Sequence, residues 1–75
     1  MNLYYVWQEE NEDYDTYDSF VVCAESEDEA KNIHPDGNWQ KDTWASSPDK
    51  VNCEMIGTSN DNVKRGIVIA SFNAG

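Results

Sequence analysis

Two short runs near the start of the chain, LYYVWQ at residues 3–8 and SFVVCA at 19–24, concentrate β-branched and aromatic residues, and each is predicted to form a strand. The intervening EENEDYDTYD reads either as a long loop or, through Tyr14 and Tyr17, as an extension of the flanking strands. At 26–29, Ser-Glu-Asp-Glu matches the capping box, in which a serine hydroxyl caps the free amides of a first turn and a glutamate three residues on bonds back. Ala30 and Ile33 follow at inward-facing positions. The pattern predicts a short helix over 27–33, ended by His34-Pro35 because a residue before proline avoids helical angles.

Periodicity is lost over 36–50, where Trp39 and Trp44 are the large apolar residues. This stretch is predicted to be a long connection with a second short helical turn. Its tryptophans are expected to pack it onto the core in preference to forming an interface, because so small a core needs large side chains. VNCEMI at 51–56 alternates and places Val51, Cys53 and Met55 on one face, the mark of a half-buried strand. GTSNDNVK at 57–64 is turn material, GIVIASF at 66–72 is a last apolar strand, and Asn73-Ala74-Gly75 reads as a tail without a role. The predicted order is β-β-α-loop-β-β: one α+β domain over residues 1–75, a mostly antiparallel four-stranded sheet with a short helix on one face.

The nine aromatics, three Trp, four Tyr and two Phe, exceed what a disordered acidic tail would carry, so the chain is expected to fold. Charge changes the picture more once it is located. Ten of the fifteen acids fall in residues 1–30 with no Lys or Arg beside them, whereas residues 31–75 balance five acids against five bases. The net charge of −10 therefore belongs to the first thirty residues. Direct binding to nucleic acid or an anionic membrane needs Lys and Arg to neutralise phosphate, and neither partner is expected. With no basic-then-apolar leader and no run of ~18 apolar residues, a cytoplasmic location is expected. Cys23 and Cys53, each in a predicted strand, read as reduced, buried thiols.

No catalytic constellation is legible. His34 lacks a spaced partner and nucleophile, and Cys23, Cys53 and His34 have no zinc-ligand spacing. The carboxylates at 13–18 lack the glycine and distal glutamate of a calcium loop, and the four glycines form no phosphate-binding motif. No catalytic residue, metal or cofactor is assigned.

The acidic third has two readings. In one it is a solvated loop that maintains solubility. In the other, crowded like charges, which repel by ~1 kcal/mol per pair at ~4 Å in water, await a basic partner. Interleaved tyrosines suit the second, since interfaces favour aromatic anchors within a polar rim. An extended ten-residue stretch would cover ~33 Å, enough to lie along a groove that takes a nucleic-acid backbone. The contact residues so assigned are Glu9, Glu10, Glu12, Asp13, Tyr14, Asp15, Tyr17 and Asp18, joined by Glu27 and Asp28 of the helix.

The strings Tyr-Asp-Thr-Tyr-Asp-Ser at 14–19, Ala-Glu-Ser-Glu-Asp-Glu-Ala at 24–30, Ile-His-Pro at 33–35 and Ala-Ser-Phe-Asn-Ala-Gly at 70–75 resemble a family of small acidic proteins encoded by bacterial viruses and prophages. That resemblance implies a context. Small acidic viral proteins act on host machinery, including CRISPR effectors, restriction enzymes and polymerases, so the expected partner is a basic, nucleic-acid-binding host enzyme that the acidic face inhibits by mimicking phosphates. The alternative is an assembly component forming a homodimer or larger homo-oligomer, with acidity serving solubility only. A third reading is a small-ligand pocket lined by Trp7, Trp39 and Trp44.

Overall fold

β1 (Asn2–Trp7) and β2 (Thr16–Ala24) form an antiparallel hairpin at the centre of one sheet. The helix α1 (Glu27–Lys31) follows, then a long connection with a 3-10 turn at Pro48–Lys50, then β3 (Asn52–Thr58) and β4 (Gly66–Asn73). The molecule is a computed structural model that describes residues 1–74. The sheet order is β3-β1-β2-β4 with every pair antiparallel, which confirms the α+β class and leaves β3 and β4 as the two edges.

Alternation along the central strands decides which face is buried. Tyr4, Val6, Phe20, Val22 and Ala24 point to one side and form the core with Ala30 of α1 and Trp44, Ala45 and Val51 of the connection. The Trp44 ring, 1% exposed, stacks on Phe20 with centroids 5.1 Å apart. Full burial of each such side chain contributes roughly 1.5–3 kcal/mol. Trp39 and Ile33 pack against this cluster from its margin.

Several boundaries differ from expectation, each for a local reason. β1 stops at Trp7 because the Gln8 side chain turns inward to hold the following loop. β2 begins at Thr16, so Tyr17 extends the strand and Tyr14 does not. α1 ends at Lys31, two residues early: Asn32 caps it, its side-chain amide donating to the Asp28 carbonyl at 2.7 Å, well before Pro35 can act. The Ser26 hydroxyl accepts from the Glu29 amide at 3.2 Å, as a capping box requires. The Glu29 carboxylate, however, pairs with Arg65 at 3.1 Å.

Of the predicted inward face of the third strand, Val51 is buried but lies before β3, Cys53 is half-buried, and Met55 is 53% exposed. Met55 sits on an edge strand beside a bulge at Ile56, with no outer neighbour to cover it. Cys23 is buried as expected, with its thiol beside the Val63 carbonyl. Cys53 keeps a partly exposed position, and burial with the nearby Glu27 charge pushes its thiol up to about 11, so it stays protonated at neutral pH. Cys23 pairs across from Leu3 and Cys53 from Val6, positions of β1 that face opposite sides of the sheet; both thiols are free. Asn73, expected in a tail, is the last residue of β4, and Gly75 lies outside the described residues.

Candidate partner-binding surface

The segment between β1 and β2 is held as a folded tip. Gln8 is buried, and its side chain does the work of a strand pair: Nε2 donates to the carbonyls of Asn11 (2.6 Å) and Tyr17 (3.0 Å), while Oε1 accepts from the Asn11 amide (2.7 Å). The buried Thr16 hydroxyl donates to the Asp13 carbonyl. Asp15 takes a left-handed conformation, φ 62°, that short polar side chains tolerate, and its amide donates to the Asn73 carbonyl at 2.6 Å. The Asn73 side chain donates back to the Asp13 carbonyl at 3.3 Å. The tip is thus clamped to β4 and cannot be the extended ribbon of ~33 Å that the sequence suggested.

The five acids of this tip, Glu9, Glu10, Glu12, Asp13 and Asp15, and Asp18 in the adjoining start of β2 are exposed, and the Tyr14 side chain of the tip has 74% of its surface in solvent. The acids are not equivalent. The Glu10 carboxylate accepts from the Ser46 amide (2.7 Å) and hydroxyl (2.8 Å), bonds that lower its pKa and fasten the long connection beside Trp44. Asp18 accepts from the Ser71 hydroxyl of β4 at 3.1 Å. Tyr17 is half-buried, its ring edge-on to Phe72, and burial together with Asp36 raises its pKa. Glu9, Glu12, Asp13 and Asp15 have no side-chain hydrogen bond among the described residues, leaving their carboxylates to solvent.

Glu27 and Asp28 are not part of this surface. They lie on α1, beyond the other end of β2, and the eight steps of that strand separate the two acidic groups by roughly 26 Å. Like the tip acids, Glu27 and Asp28 form no ion pair among the described residues. Among the described residues the ion pairs are those of Arg65 with Glu25 (2.7 Å) and Glu29 (3.1 Å), both at the helix end. No three His, Cys, Asp or Glu side chains among the described residues converge as metal ligands.

The three tryptophans do not share a pocket. Trp44 lies under Phe20 in the core, Trp39 at its margin with its edge near His34, and Trp7 on the opposite face of the sheet, stacked on Tyr5 at 5.3 Å. That opposite face is a second surface the sequence reading missed. Helix and connection cover one side only, and on the other a shallow groove of about 370 Å³ runs over Tyr5, Ser19, Phe20, Val21, Ile69, Ala70 and Ser71. Its signal was present in GIVIASF, whose apolar residues fill both faces of a strand without alternation. No helix among the described residues is long and apolar enough to cross a membrane. No family model, curated protein or solved structure matches the chain.

Proposed function

We propose that this chain binds a basic protein through its acidic hairpin tip, and that the partner is a nucleic-acid-acting host enzyme whose phosphate-binding surface the tip occupies. One observation carries the reading. A tip held by hydrogen bonds to β4 presents Glu9, Glu12, Asp13 and Asp15 around the exposed Tyr14 ring, and none of these carboxylates has a cationic partner among the described residues. Unneutralised charge around an aromatic anchor complements a basic surface, with carboxylates standing where phosphates would. The tip is short and folded, so it suits a local basic pocket better than a long channel. The resemblance to virus-encoded proteins supplies the context of an inhibitor acting against host defence or polymerase machinery.

The test is capture from bacterial lysate at low and high salt with the wild-type chain and with a Glu9→Gln, Glu12→Gln, Asp13→Asn, Asp15→Asn variant. Glu10 stays intact because it fastens the connection through Ser46. The expected result is a basic nucleic-acid enzyme held by the wild type, released by salt and by duplex DNA, and not held by the variant. An enzyme retained equally by both proteins would overturn the proposal.

A further inference from the structure

Neither edge strand has a buried residue, and what sets β4 apart is that the helix packs over β3 and the central strands instead. β4 exposes every residue between Gly66 and Asn73, with Ile69 at 66%. Among the described residues it pairs with β2 alone, so its outer edge keeps unpaired backbone donors and acceptors. Natural edge strands are commonly guarded by charge, and β3 has Glu54. β4 has no Asp, Glu, Lys or Arg anywhere along GIVIASFN. Both edges contain one bulged residue, Ile56 or Val68, so the bulge does not distinguish them.

We propose that a second copy of this chain adds to the outer edge of β4, antiparallel, joining two four-stranded sheets into one. Charge selects both the occupant and the direction. With a net charge of −10, two copies can approach only where acid does not meet acid, and the uncharged β4 provides that place. The two ends of β4 differ in charge. Before Gly66 stand Lys64, with no ion pair among the described residues, and Arg65, whose charge is balanced by Glu25 and Glu29, while the tip residues Asp13 and Asp15 are hydrogen-bonded to Asn73 at the other end. An antiparallel pair sets Lys64 of one copy beside the tip of the other, twice by symmetry. A parallel pair would set the acidic tips against each other. The twofold axis then stands normal to the sheet, so both helical layers share one side and the two grooves over Tyr5 and Ile69 join on the other.

This inference concerns a different surface from the acidic tip's proposed contact and does not rest on it. Sedimentation equilibrium of the full chain is expected to give a species of twice the 8.6 kDa chain mass. Ile69→Lys, placing like charges across the axis, is expected to weaken association by about tenfold or more with an unchanged circular dichroism spectrum. Lys64→Glu should weaken it roughly fivefold, as exposed pairs repeated by symmetry do. A chain that remains monomeric, or a dimer indifferent to Ile69→Lys, overturns the proposal. A dimer lost on Trp7→Lys alone also overturns it, in favour of face-to-face packing, and one unchanged or strengthened by Lys64→Glu overturns the antiparallel arrangement.

Discussion

The two faces of the sheet carry similar aromatic pairs in opposite circumstances. On one, Phe20 and Trp44 stack 5.1 Å apart beneath the connection; on the other, Tyr5 and Trp7 stack 5.3 Å apart at the surface. The contact geometry is nearly the same. What separates the pairs is the long irregular segment between α1 and β3, which covers one face and does not exist for the other. In a domain this small the distinction between core and surface is made by one loop, and that loop is fastened by a handful of polar contacts.

The largest effect is expected from removing the cover's main contact. Trp44→Ala should cost about 3–5 kcal/mol, comparable to the whole stability expected of a domain of this length, and chemical denaturation would register it as near-complete unfolding. Trp44→Phe should cost much less, because the indole nitrogen of Trp44 is buried without a hydrogen-bond partner among the described residues.

Acid should loosen the same cover. Burial lowers the pKa of His34, whose Nδ1 accepts from the Asp36 amide at 3.0 Å. A depressed histidine binds protons more readily when unfolded, so stability is full above the unfolded value near ~6.5 and falls as pH drops below it. Melting temperature should therefore decline between neutral pH and pH ~5, and His34→Asn should flatten that part of the profile. A steeper profile in the variant would refute the assignment.

Ser26→Ala, which removes the cap of α1, is expected to cost about 1 kcal/mol by the same denaturation assay. On the open face, Tyr5→Ala should change stability by less than ~0.5 kcal/mol, as ordinary surface substitutions do. A loss there as large as that of Trp44→Ala would erase the contrast between the faces.

The strands were legible in the sequence because alternation and β-branched content are local properties. So was the helix start, where Ser26 and Glu29 lie three residues apart. Strand order was not, since nothing within GIVIASF says that it pairs with SFVVCA and leaves VNCEMI to LYYVWQ. The acidic tip was legible as charge and illegible as shape. Its compaction depends on Gln8 reaching Tyr17 and on Asp15 meeting Asn73, contacts whose partners are set only by the finished fold. Glu10 was read as contact charge for the same reason, because Ser46 lies thirty-six residues away.

The order in which the sheet is assembled has a consequence for synthesis. The central hairpin leaves the ribosome first, whereas its flanking strands are completed only with Thr58 and Asn73. At translation rates of about 5–20 residues per second, β1 and β2 spend several seconds as a two-stranded ribbon with both edges unsatisfied. Such a ribbon is marginal on its own and prone to pair with neighbours. Residues 1–30, which contain the ribbon, hold ten acids and no base. Such ribbons on adjacent ribosomes repel one another, so the acidic first third opposes edge-to-edge pairing while the centre of the sheet is exposed.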